Sequence, residues 1–112
     1  VKISIDLDGT AFRWPEQFEK LFAALLDARV DVVILTAAAG EYPASERPAV
    51  VRGRVEIRLG ERIAKECAII CCEEKDKAAI CKKLCVDIAI DDKPIFGGGW
   101  NGLQFVPFSC AF

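Results

Sequence analysis

Histidine and methionine are both absent from the 112 residues, there is a single tyrosine, and no two of the six cysteines have Cys-x-x-Cys spacing. Without histidine there is no Ser-His or Cys-His nucleophile and no imidazole metal ligand. Hydrolytic chemistry falls to carboxylates and lysines. The cysteines, at 67, 71, 72, 81, 85 and 110, lie mostly inside apolar runs, where a free thiol acts as a small hydrophobe. Their spacings suit neither a tetrahedral zinc site nor a disulfide framework, so a reduced, cytoplasmic chain is expected. No apolar run approaches the roughly 18 residues that a bilayer span needs, and no membrane partner is expected. An Asp-rich segment follows almost at once on Val1, so no secretory signal is expected. The missing initiator Met suggests a trimmed or processed chain. Fifteen Lys and Arg against seventeen Asp and Glu leave a net charge of −2, which disfavours polyanion binding through bulk charge.

Apolar residues make up 53% of the chain, enough for a real core, and residues 1–112 are expected to form one domain. A strand is expected over 2–6 and a helix over 15–28, with Pro15 at its start and Phe18, Leu21, Phe22 and Leu25 on one face. A second strand is expected over 30–35, ending at Thr36, then a turn-rich stretch to Pro48. Residues 49–66 read two ways. Alternation from Val51 to Leu59 resembles a strand, but a connection between parallel strands argues for a helix, which is the expectation here. Arg47, Arg54, Arg58 and Lys65 then share one face, either solvated or a patch for an anionic partner. Further strands are expected over 67–72, 86–90 and 103–107, with a helix over 76–85. Strands alternating with helices predict an α/β fold, a mainly parallel sheet covered on both faces.

In such a sheet the carboxyl ends of the strands share one edge, where ligands bind. The first strand runs into Asp6-Leu7-Asp8-Gly9-Thr10, and two acids at i and i+2 on extended backbone point the same way. Thr36 ends the second strand, and Asp91-Asp92 end the fourth. Four acids and a hydroxyl thus converge from distant parts of the chain. Acids packed so closely repel one another, so a cation is expected among them. Hard oxygen donors without histidine favour Mg²⁺. An EF-hand is excluded, since no Glu stands in register to complete its loop.

Asp6-Leu7-Asp8-Gly9-Thr10, Ile34-Leu35-Thr36-Ala37, Lys77 and Ile90-Asp91-Asp92, in that order, resemble the four motifs of the haloacid dehalogenase superfamily. The resemblance implies a Rossmann-like three-layer α/β/α sandwich and a Mg²⁺-dependent phosphatase. It implies that Asp6 is the nucleophile and Asp8 the acid and base. Thr36 and Lys77 hold the phosphoryl group, with Lys75 the fallback lysine. Asp6, Asp8 (through its backbone carbonyl), Asp91 and Asp92 form the metal site. Retention of Asp8 favours phosphate-ester hydrolysis over dehalogenation. The short connections leave no room for a sizeable cap domain, so an open site and a phosphorylated small molecule or macromolecule are expected.

The Gly97–Gly99 loop with Trp100 is expected as a connector, the alternative being a stacking surface at the site's rim, and Trp14 is read as packing. Two other functions stay open. One is a catalytically weak binding or assembly module on the same fold. The other is a nucleic-acid end phosphatase, supported only by the Arg-rich stretch from Arg47 to Arg62. The high apolar content is compatible with a homo-oligomer.

Overall fold

A computed structural model describes residues 1–108 and shows an α/β fold. The chain runs β1 (Lys2–Ile5), a kinked turn (Leu7–Ala11), α1 (Pro15–Asp27) and β2 (Asp31–Thr36). It continues through α2 (Arg47–Leu59), α3 (Glu61–Glu66), β3 (Ala68–Cys71), a short 3-10 turn (Glu74–Asp76) and α4 (Lys77–Lys83). It closes with β4 (Ile88–Ile90) and β5 (Leu103–Phe105). Cys110 lies outside the described residues.

All five strands are parallel, in the order β3-β2-β1-β4-β5. The chain winds outward from β1 to β3, then crosses back to place β4 on the other side of β1. A constant crossover hand puts helices on opposite faces when the winding direction reverses. The packing agrees. Ile3, Ile5, Val32 and Ile34 face Phe18 and Phe22 of α1, Val51, Val55 and Leu59 of α2, and Ile63 of α3. Val33 and Leu35, one residue out of phase, face Cys81 of α4 and Val86. The two apolar sets are the two sides of the pleat.

The 49–66 stretch is helical as expected, but it is two helices. Gly60 has φ +104°, a conformation that side-chain-bearing residues avoid, and the chain turns there. The anticipated basic stripe is therefore broken, because Lys65 belongs to α3. Its arginines are engaged locally. Arg47 donates to the carbonyls of Tyr42 and Gly40, Arg54 pairs with Glu41 at 3.0 Å, and Arg58 stacks on Phe12.

Several expected strands and helices are longer than those observed. β4 starts at Ile88 because Val86 N–H closes back onto the Cys81 carbonyl at the end of α4. Left-handed Cys85, φ +58°, ends the helical path, so α4 stops at Lys83.

Cys67, Cys71, Cys72, Cys81 and Cys85 are free thiols. No helix among the described residues is long and apolar enough to cross a membrane.

Candidate functional site

β1 and β4 are neighbours, and the winding direction reverses between them. A sheet of this kind opens a crevice at the carboxyl edge there. Asp6 continues β1 in extended conformation, its N–H bonded to the Ile90 carbonyl at 2.9 Å. Alternation along β1 places Ser4 and then Asp6 on the α4 face. Alternation along β4 places Ala89 and then Asp91 there too. α4 begins at Lys77, so its first side chain meets both acids.

The Lys77 ammonium is wholly buried. It contacts Asp91 Oδ2 at 2.6 Å, Asp6 Oδ1 at 3.1 Å and Glu74 Oε1 at 3.2 Å. Three ammonium protons meet three carboxylates. Lys75, two residues earlier, is exposed and pairs with Glu73. Of the two candidate lysines, only Lys77 reaches the acids.

Asp6, Asp91 and Asp92 each bring a carboxylate oxygen within 4.8 Å of the other two. Of these only Asp6 and Asp91, with Glu74, contact the Lys77 ammonium. Burial pushes the Asp6 carboxyl up to about 7, against the pull of the Lys77 charge and with the help of Asp91. Burial likewise raises Asp91, against its hydrogen bond from Lys77. Burial alone would lower the Lys77 ammonium, but the bond to Asp91 and the charge of Asp6 outweigh it and hold the pKa above the lysine value. The site therefore carries more carboxylate than its one cation satisfies.

The structure reaches this arrangement with residues to which the sequence reading gave no role. Thr10 is fully buried. Its hydroxyl shares one proton between Asp6 Oδ2 at 3.4 Å and Asp92 Oδ1 at 3.3 Å, and accepts the Asp92 N–H at 3.1 Å. Gly9 sits at φ +76°, a conformation that favours glycine, and a Cβ there would press on the Asp92 carboxylate. Gln104 of β5 donates to the carbonyls of Asp91 and Lys93 and accepts the Ile95 N–H. It thereby clamps the turn that carries the acid pair.

Two expected members stand apart. Asp8 was expected to point the same way as Asp6. Instead the extended backbone ends at Asp6 and the kinked turn begins at Leu7. The Asp8 side chain is exposed, outside the three-carboxylate cluster. Thr36 is buried at the same edge, but alternation puts it on the α1–α3 face. Its Oγ1 accepts the Ala38 N–H at 3.0 Å, and no hydrogen bond among the described residues joins it to Asp6 or Lys77. Beyond Thr36, Cys72 N–H bonds the Thr36 carbonyl. Burial pushes the Cys72 thiol up to about 11, which keeps it protonated and poorly nucleophilic.

Trp100 is not at this edge. Its indole N–H donates to the Val86 carbonyl at 2.8 Å, at the amino end of β4. The glycine loop runs back along α4, and a Cβ on Gly98 would lie 2.7 Å from the Ala79 nitrogen. The loop is a connector, as expected. Trp14 packs against the core.

No protein-family model matches the chain, and no curated protein or solved structure matches it either. The fold and the site thus define a class, a parallel α/β protein with an acid–lysine cluster at its switch point, and the residues themselves carry any further reading.

Proposed function

We propose that the protein is a phosphohydrolase of the haloacid dehalogenase type, cleaving a phosphate monoester through an aspartyl-phosphate on Asp6. One observation carries this reading: buried Lys77 is bonded at once to Asp6 and Asp91 on adjacent strand ends, with Asp92 alongside. A phosphoryl group at Asp6 needs an oxygen nucleophile in line and positive charge around its equatorial oxygens.

In the first step an Asp6 carboxylate oxygen attacks phosphorus and the ester P–O bond breaks. Asp8 protonates the departing oxygen. In the second step Asp8 takes a proton from water, the water oxygen attacks phosphorus, and the bond to Asp6 breaks to release phosphate. Exposure of Asp8 suits both duties, since it must meet leaving group and water in turn. Lys77 neutralises phosphoryl oxygens, and its charge favours the ionised form of Asp6 against the effect of burial. Thr36, at the same edge, retains a hydroxyl proton to donate.

The donor set fits Mg²⁺. Asp6, Asp91 and Asp92 offer hard oxygens around an unbalanced negative charge, and the resemblance to the superfamily would add the backbone carbonyl of Asp8. When bound, the ion would supply charge stabilisation to the transferring group. The connection after β1 is spent on α1 and that after β2 on α2 and α3, which pack into the core. This supports a Rossmann-like, capless fold with an open site.

The test is phosphate release from an aryl phosphate and a panel of metabolite phosphates, with Mg²⁺ or chelator, for wild type and Asp6→Asn. Mg²⁺-dependent release that disappears in the variant is expected. A panel silent in the presence of Mg²⁺ overturns the proposal.

A further inference from the structure

The cation offered to the phosphoryl group is itself covered. The Lys77 side chain is 0% exposed. Its three ammonium protons are already engaged, by Asp91 Oδ2 at 2.6 Å, Asp6 Oδ1 at 3.1 Å and Glu74 Oε1 at 3.2 Å. No oxygen from outside can bond this ammonium until one of the three carboxylates gives up its place.

The three are not equally free to leave. The Asp6 and Asp91 side chains are 4% and 2% exposed, and each is fixed by further bonds. Asp6 Oδ2 accepts from Thr10, Asp91 Oδ1 accepts the Lys93 N–H at 2.9 Å, and the N–H groups of both residues are tied into the sheet. Glu74 differs on every count. Its side chain is 41% exposed, and among the described residues its carboxylate meets only Lys77. It stands on the 3-10 turn between β3 and α4, three residues before Lys77, a helical spacing that brings two side chains together. Its contact is the longest of the three. Its departure costs least, because water can receive the freed carboxylate. Nor is it needed for the metal cluster, which Asp6, Asp91 and Asp92 make without it.

We infer that Glu74 is a placeholder for the substrate, holding the third proton of Lys77 until an incoming phosphoryl oxygen displaces it. The inference rests on the phosphohydrolase reading. A buried ammonium needs all its acceptors at every stage. Glu74 supplies the third one between turnovers and swings into water when the phosphoryl group arrives. One charged oxygen replaces another, so the number of bonds to Lys77 is unchanged. An uncharged acceptor replaces a carboxylate poorly, which reserves Lys77 for anionic ligands. Glu74 thereby competes with every phosphate the site receives, and holds its affinity below what Lys77 would give without it.

Calorimetric titration with inorganic phosphate in the presence of Mg²⁺ tests it. The salt is kept at roughly 0.15 M, where exposed charges more than about 8 Å apart are largely screened. Glu74→Gln removes the charge, and Glu74→Asp keeps it but draws it back from Lys77 by one methylene. Both are expected to bind phosphate about tenfold more tightly than wild type, the scale of one hydrogen bond to a charged group. KM for an aryl phosphate is expected to fall with it. Glu73→Gln removes a neighbouring charge that pairs with Lys75, and is expected to bind phosphate as wild type does. Unchanged or weaker binding in both Glu74 variants overturns the inference. Tightening by Glu74→Gln alone assigns the effect to bare charge and overturns it too. Because a substitution could disturb the turn, a crystal structure of wild type with Mg²⁺ and phosphate gives a second readout. A phosphate oxygen on Lys77 with Glu74 turned away is expected, and Glu74 still bonded to Lys77 beside the bound phosphate overturns the inference. Phosphate bound by none of the proteins, with a silent substrate panel, overturns the phosphohydrolase reading and the placeholder with it.

Discussion

At the carboxyl edge of β1 and β4, three carboxylates close on one buried ammonium, with Asp92 beside them. At the amino edge of the same sheet, a cleft of about 380 Å³ is walled by Cys81, Cys85, Val86, Trp100 and Leu103. This cleft and the polar cluster lie at opposite edges of the sheet. At the amino edge the polar atoms are spent on structure. Trp100 donates to Val86, and the Asp87 carboxylate accepts the Lys2 N–H at 2.8 Å. At the carboxyl edge the charges are out of balance, so burial drives Asp6 up to about 7. Unbalanced burial is what a ligand can relieve, and it makes the carboxyl edge the stronger candidate site.

The largest expected contrast is in turnover. Asp6→Asn should cut phosphate release on the order of a thousandfold or more, because it removes the proposed nucleophile. Changes in the amino-edge cleft should leave kcat within a small factor. Steady-state kinetics of both sets of variants, with folding checked by circular dichroism, would break the comparison if the amino-edge variants also lost kcat.

Next is the cost of unpairing the cluster. Lys77→Met leaves buried carboxylates without a cation and should cost about 3–5 kcal/mol of unfolding free energy by urea titration. Added Mg²⁺ should recover part of that. Lys75→Met, two residues away on the surface, should leave the midpoint where it is. Equal effects from the two lysines would mean that the buried contacts do not hold the site together.

A pH titration sharpens the same point. Asp6 binds its proton more tightly folded, at about 7, than at its ordinary 3.8, and Asp91 is shifted the same way. Between about pH 4 and 7 the folded state holds more protons than the unfolded one, so metal-free stability falls as pH rises through that window. Below it the contribution is fully present, and above it the contribution is lost. Asp6→Asn should flatten the slope. A metal-free protein whose stability rises from pH 4 to 7, with Asp6→Asn no flatter, would show that Asp6 is not pressed by its surroundings.

What could be read from sequence followed the range of each signal. Strand ends at Asp6 and Asp91 were legible because alternating apolar residues run straight into acids, and β-α alternation then requires a shared edge. Lys77 was legible through its place at the head of a helix followed by a strand. Thr10 was visible in the same motif as Asp6, yet its partner Asp92 is 82 positions away and nothing local announces the bond. Gln104 was harder still, since its clamp exists only once β5 has paired with β4. The Gly60 break was within reach, because Leu-Gly-Glu is a helix stop followed by an acidic start. The alternation from Val51 to Leu59 drew attention away from it. The backbone at Asp8 was less legible, for a different reason. The i, i+2 rule holds only while the strand lasts, and the chain leaves extended geometry immediately after Asp6.

The smallest effect tests the quiet edge by itself. Trp100→Phe keeps most of the ring that packs against Val86 and Cys81 but removes the indole N–H. The Val86 carbonyl then loses its 2.8 Å donor at a half-buried position, where water can partly replace it. A loss of about 1 kcal/mol is the expected scale. Gly102, whose Cβ would sit 2.2 Å from the indole ring, keeps its space in this variant. The expected outcome is a small drop in urea midpoint with phosphate release and its Mg²⁺ dependence unchanged. A selective rise in KM, at constant stability, would instead place substrate in the amino-edge cleft and reverse the assignment of the two edges.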